Sequence, residues 1–129
     1  MSTRRAHILV VDDDATIRQT FSMLLSSRGY RVTAAEDGYD ALGKLLLEPP
    51  DLIISDLNMP RLNGYQFLSL ARRWLPNIPI VVATGDPDQS LFLADAVYLK
   101  GKDQPRDLMR TVATLVNSDL LSLSKTRSR

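Results

Sequence analysis

The sequence predicts an α/β fold in three layers: a doubly wound parallel sheet of five strands with helices on both faces. Three observations carry this. The apolar runs Ile8-Leu9-Val10-Val11, Leu52-Ile53-Ile54-Ser55 and Ile80-Val81-Val82-Ala83 are short and continuous, as strands covered on both faces require. Amphipathic stretches of helical period separate them. Alternation repeated this often implies parallel strands joined by helical crossovers.

Each element has its own signal. Ile8 to Val11 reads as the first strand. Asp14 can then cap a helix. Ile17, Phe21, Leu24 and Leu25 fall on one helical face, and Gly29 stands where a C-terminal glycine belongs. Tyr30 to Ala34 is the second strand. Gly38 to Leu47 is the second helix, with Ala41, Leu42, Leu45 and Leu46 expected inward and Pro49-Pro50 as its stop. Leu52 to Ser55 is the third strand. Asn63-Gly64 marks a turn, and Tyr65 to Trp74 forms a helix with Phe67, Leu68 and Ala71 as core. Ile80 to Ala83 and Ala96 to Leu99 are the fourth and fifth strands. Pro105 to about Val116 is the last helix, with Leu108, Val112, Leu115 and Val116 facing in. Right-handed crossovers limit the topology, and at 129 residues the flavodoxin-like strand order 2-1-3-4-5 is expected. Residues 6–118 form the domain, 1–5 an N-terminal extension and 119–129 a tail expected to fray.

Composition narrows the chemistry. Sixteen Lys and Arg against fifteen Asp and Glu leave a formal charge of +1, which offers no global attraction for nucleic acid. The chain has no Cys, so disulfides, thiol catalysis and zinc–thiolate sites are excluded, and one His, His7, is too few for a histidine-rich metal site. No apolar run approaches the ~20 residues of a membrane span, and the run after Arg4-Arg5 is too short for a signal peptide. A soluble cytoplasmic protein, without membrane or nucleic-acid partners, is expected.

The acids are placed by the topology. Asp12-Asp13 comes directly after the first strand and Asp56 directly after the third. These two strands flank the point where the strand order reverses, and ligands bind outside the carboxyl ends of strands at such a point. Three carboxylates brought together repel, and a hard divalent cation such as Mg2+ is the natural agent to offset them. Thr84 at the end of the fourth strand offers a hydroxyl, and Lys100 at the end of the fifth a compact cation. A carboxylate nucleophile, a magnesium site, a hydroxyl and a lysine are the equipment for phosphoryl transfer onto Asp.

Taken together, Ile8 to Asp14, Asp51 to Pro60 with Asn63-Gly64, Val82-Ala83-Thr84-Gly85 and Lys100 closely resemble a bacterial two-component response-regulator receiver domain over roughly residues 6 to 118. The resemblance implies Asp56 as phosphoacceptor, Asp13 as a direct magnesium ligand and Asp12 as one acting through water. It further implies the Asn58 backbone carbonyl as a ligand, and Thr84 and Lys100 as groups that bind the phosphoryl oxygens. It implies a histidine kinase or histidine phosphotransfer protein as donor, and a downstream protein target reached through protein contacts. The only catalysis expected is the domain's own phosphoryl transfer and autodephosphorylation. Asn58 and Asp86, two residues after the phosphoacceptor and the threonine, imply a short-lived aspartyl phosphate.

Two positions depart from the family pattern. The usual Lys-Pro is Lys100-Gly101, and the aromatic expected three residues before the lysine is Val97, with Tyr98 on the opposite face of the strand. Lys102 is an alternative functional lysine that would put Leu99 at that position; Lys100 is favoured. A degenerate receiver that binds partners without phosphorylation is therefore a competing expectation. An aspartate-based phosphatase is another, because Asp12-x-Asp14-x-Thr16 also resembles the first motif of haloacid-dehalogenase-type enzymes. The identity of the phosphorylated residue, Asp56 or Asp12, separates them.

Other residues have plainer readings. Asp14 is a helix cap, His7 is structural or exposed, and Trp74 serves packing rather than ligand stacking. Lys125, Arg127 and Arg129 belong to a solvated terminus. From Thr84 to Lys100 is 100 − 84 = 16 positions, near the floor for a parallel crossover and roughly one and a half helical turns shorter than the usual receiver. The helix there is expected to span only Asp88 to about Leu93 or to be missing. That leaves one of Leu91, Phe92 and Leu93, Phe92 above all, exposed or against a partner.

Overall fold

The computed structural model describes residues 5–59, 61–86 and 94–127. In chain order the elements are β1 (His7–Val11), α1 (Ala15–Ser27), β2 (Arg31–Ala35), α2 (Gly38–Leu47), β3 (Leu52–Ser55), α3 (Gly64–Trp74), β4 (Ile80–Thr84), β5 (Ala96–Leu99) and α4 (Pro105–Arg127). All strand pairs are parallel, in the order β2-β1-β3-β4-β5. The register pairs Val11 with Ser55, Ser55 with Val82 and Thr84 with Leu99. The carboxyl ends of β1 and β3 are therefore level, and the loops leaving them emerge at one edge.

The two-residue period of each strand divides the core. Leu9, Val11 and Ile53 point toward α2 and α3, where Ala41, Leu45, Phe67, Leu68 and Ala71 meet them. Ile8, Val10 and Ile54 point the other way, toward Phe21 and Leu25 of α1 and Leu108 and Val112 of α4. Both faces are thus covered, which explains the continuous apolar strands. Burying a side chain such as Phe67 contributes about 2–3 kcal/mol.

Local chemistry sets the ends of the helices. Asp14 Oδ1 accepts hydrogen bonds from Thr16 N at 2.9 Å and Ile17 N at 3.2 Å, so it caps α1 as expected. Gly29 closes that helix with φ +90°, the left-handed conformation glycine tolerates. Asn63 and Gln66 form a reciprocal capping box at the start of α3.

Several expectations are corrected. Leu46 is exposed rather than inward, because Ala41 and Leu45 already occupy the sheet-facing stripe and Leu46 lies a further 100° round the helix. Trp74 is 63% exposed and does not pack in the core, since the apolar stripe of α3 passes from Ala71 to Leu75. The last helix continues past Val116, where it was expected to end, to Arg127. No Gly or Pro comes after Pro105 to stop it. His7 is structural: it is buried, its N–H donates to Asp51 Oδ2 at 2.8 Å, and its Nε2 lies 2.7 Å from Thr33 Oγ1. The short helix expected over residues 88–93, and the exposure of Phe92, lie outside the described residues. Among the described residues no helix is long and apolar enough to cross a membrane.

Candidate metal centre

The backbone brings the acids together before any side chain is considered. Asp12 N donates to Ala35 O at 3.1 Å and Asp56 N to Val11 O at 2.9 Å, so each continues the ladder one residue past its strand. Asp12, Asp13 and Asp56 each offer a carboxylate oxygen within 4.8 Å of the others. Asp12 and Asp56 are buried and Asp13 is exposed.

Each buried carboxylate is held on one oxygen and presented on the other. Asp12 Oδ1 accepts from Asp14 N at 2.9 Å, and Asp56 Oδ1 accepts from Asn58 N at 3.2 Å. Both remaining oxygens face one ammonium: Lys100 Nζ lies 2.8 Å from Asp12 Oδ2 and 3.2 Å from Asp56 Oδ2. The Lys100 backbone is fixed as well, its N–H donating to Thr84 O at 2.8 Å. Lys100, not Lys102, is therefore the lysine of this crevice; Lys102 is exposed on the next turn of the chain.

The electrostatics arise from burial and a surplus of negative charge. Loss of solvent pushes the Asp12 carboxyl above its ordinary value of 3.8, and the nearby Asp56 charge adds to this. The Lys100 ammonium and the Asp14 N–H pull the other way without cancelling it. Burial alone would lower Lys100, but the close contact and charge of Asp12, with those of Asp56, outweigh it and raise Lys100 above 10.5. Two buried carboxylates thus share one ammonium, with the third, Asp13, beside them. Asp12 Oδ2 is buried, with the Lys100 ammonium 2.8 Å away. An all-oxygen donor set carrying more negative charge than one ammonium balances fits a hard divalent cation.

Thr84 is buried at the same sheet edge, as expected, but its hydroxyl is engaged locally. It accepts from Asp86 N at 3.1 Å. Asn58 lies two residues beyond Asp56 in the loop, where its N–H holds the Asp56 carboxylate. Gly101 adopts φ +83°, a conformation closed to proline, whose φ is fixed near −65°. Tyr98 is buried against Phe21, ring centroids 5.4 Å apart and edge to face, while Val97 is half-buried on the other face.

Three supporting features were not anticipated. Gly64 is more than a turn residue: a Cβ there would collide with the Asp56 carbonyl oxygen and Leu57 Cα, and its N–H donates to Leu57 O at 3.1 Å. Arg61, at φ +66°, straps the loop after β3 to the start of α2, through a 3.3 Å ion pair with Asp37 and a cation–π contact with Tyr39 at 4.9 Å. Tyr98 hydrogen-bonds beyond Lys100, donating to Asp103 O at 2.9 Å. The available signal was slight, since Asp37 before Gly38 reads only as a helix cap.

Comparison with known proteins agrees with this geometry. A family model described as "Response regulator receiver domain" matches residues 8–100. The transcriptional regulatory protein GlrR of Escherichia coli is 38% identical over 84 residues, which is 65% of this chain and 19% of GlrR. The chain thus spans about a fifth of that relative's length. Among solved structures, the chemotaxis protein CheY4 of Vibrio cholerae is 32% identical with a TM-score of 0.79, covering 87% of this chain and 99% of CheY4. The response regulator protein TrrA of Thermotoga maritima, solved in complex with Mg(2+)-BeF, is 31% identical with a TM-score of 0.78, covering 85% of this chain and 98% of TrrA.

Proposed function

The chain belongs to the response regulator receiver domain family, and on that premise we propose that it is the phosphoacceptor module of a two-component phosphorelay. Asp56 takes the phosphoryl group from a phosphohistidine of a histidine kinase or histidine phosphotransfer protein. An Asp56 carboxylate oxygen forms the new O–P bond, the N–P bond of the donor breaks, and the imidazole leaves with that electron pair. The domain catalyses this transfer and the later hydrolysis of its own aspartyl phosphate, in which water attacks phosphorus, the Asp56 O–P bond breaks and inorganic phosphate leaves.

The observation that carries the reading is the convergence of Asp12, Asp13 and Asp56 within 4.8 Å, with Lys100 Nζ bridging Asp12 and Asp56. Lys100 holds the acceptor carboxylate in place and offers its ammonium to the incoming phosphoryl oxygens. Thr84, released from Asp86, would supply a hydroxyl donor. Asp12, Asp13, Asp56 and the Asn58 carbonyl would hold Mg2+, which neutralises charge on the transferring group when bound. Asp56 rather than Asp12 is the nucleophile, because Asp12 lies deeper, at 1% exposure, and is the closer partner of Lys100. The phosphorylated domain then signals to a protein partner through the loops around Thr84.

Titration with beryllofluoride and Mg2+, monitored by backbone NMR, tests this. Mg2+ alone is expected to shift Asp12, Asp13 and Asp56, and further shifts that reach Thr84 and Lys100 are expected only with both ligands. No shifts at that edge would refute phosphoryl acceptance and favour a phosphorylation-independent interaction module.

A further inference from the structure

Lys100 has a long, flexible side chain, and its use depends on the ammonium sitting between two carboxylates. The residue after it does not help to hold it. Gly101 has no side chain and is left-handed at φ +83°, so the chain leaving β5 must be closed by something else. Asp103 closes it. Its N–H donates to Leu99 O at 2.8 Å, its Oδ2 accepts from Leu99 N at 2.8 Å, and its carbonyl accepts from the Tyr98 hydroxyl at 2.9 Å. Lys102 N adds a bond to Leu99 O at 3.1 Å. The turn 100–103 is thus tied back to the strand that carries Lys100.

Tyr98 is the one side chain of β5 in this set of bonds. It lies two residues before Lys100 and so on the same face of the extended chain. Its ring is buried edge to face against Phe21 of α1, and ring and lysine stem line the same small cavity with Thr16, Ile17 and Thr20. The ring is therefore anchored, and the hydroxyl reaches the turn from a fixed point. Burial, with the charges of Asp103 and Asp107, raises the phenol above 10.0, so it remains a donor through neutral pH.

We propose that Tyr98 is a positioning residue for Lys100, its hydroxyl locking the Lys100–Asp103 turn so that the ammonium is held between Asp12 and Asp56. This rests on the proposed phosphoacceptor role for its kinetic consequence, but not for the position of the lysine.

The test is Tyr98→Phe, which keeps the ring against Phe21 and removes only the hydroxyl. Two readouts are taken on the full chain: the 13C NMR signal of the Lys100 side chain without ligands, and the rate of phosphorylation by acetyl phosphate with Mg2+. The expected result is a Lys100 signal displaced toward that of an exposed lysine, and a rate about fivefold lower, the effect of one net hydrogen bond. In a Lys100→Ala background, Tyr98→Phe should change the rate no further. An unchanged lysine signal in Tyr98→Phe would overturn the proposal, as would an equal fivefold loss in the Lys100→Ala background. A wild-type chain that took no phosphate would sink the phosphoacceptor role, and the lysine signal would still decide this inference.

Discussion

Asp12 and Asp13 are neighbours with opposite surroundings, and their substitutions should differ accordingly. Asp13 is exposed and points its charge into the crevice, so Asp13→Ala should leave the fold intact and remove Mg2+ binding, read by calorimetry. Intrinsic fluorescence is a poor reporter here, because the one tryptophan, Trp74, closes α3 on the solvent side. Asp56→Asn removes one of three clustered carboxylates and keeps the Asp12–Lys100 pair, and should raise stability by about 1 kcal/mol in denaturant titration. The raised Asp12 carboxyl sets a pH dependence. A folded-state value above the unfolded one means that the native state binds the proton more tightly, so acidification through that window stabilises the metal-free fold through Asp12. The same proton competes with the metal. Mg2+ affinity should therefore begin to fall above 3.8, the ordinary aspartate value, as pH is lowered from neutrality. Affinity that held constant down to that value would contradict the burial argument. These acids were legible in the sequence because each sits directly behind an apolar run. The Arg61–Asp37–Tyr39 strap was not, because it joins two loops that no periodic pattern connects.

At the scale of elements, strands were the easiest to read and helix ends the hardest. A strand covered on both faces is an uninterrupted apolar run, and β3 and β5 match their expected bounds. A helix end depends on the residues beyond it, and α4 runs to Arg127 because its sequence contains no stop. The entry to α3 shows how an element serves the site. Gly64 allows the helix start to touch the backbone of Asp56 and Leu57. Gly64→Ala should cost about 1–3 kcal/mol, as overpacking does, and should slow phosphorylation by displacing Asp56. Equal stability and rate for this variant would show that the close approach is not needed. Phe67→Ala in the same helix should cost about 3–5 kcal/mol in denaturant titration.

For the whole molecule, one topological fact produces the site. The order β2-β1-β3-β4-β5 places β1 and β3 side by side with level carboxyl ends, so Asp12-Asp13 and Asp56 must meet. The sequence implied that order through its alternation of elements, and hence implied the crevice. It could not imply the route by which Lys100 reaches the crevice, which depends on the turn at Gly101 and its ties to Asp103. The central claim is that this edge directs a phosphoryl group to Asp56. The most direct test is to treat the chain with acetyl phosphate and Mg2+, reduce the acyl phosphate with borohydride, and map the modified residue by mass spectrometry. Modification at Asp56 alone, absent from Asp56→Asn, is the predicted result; modification at Asp12, or none at all, would contradict it.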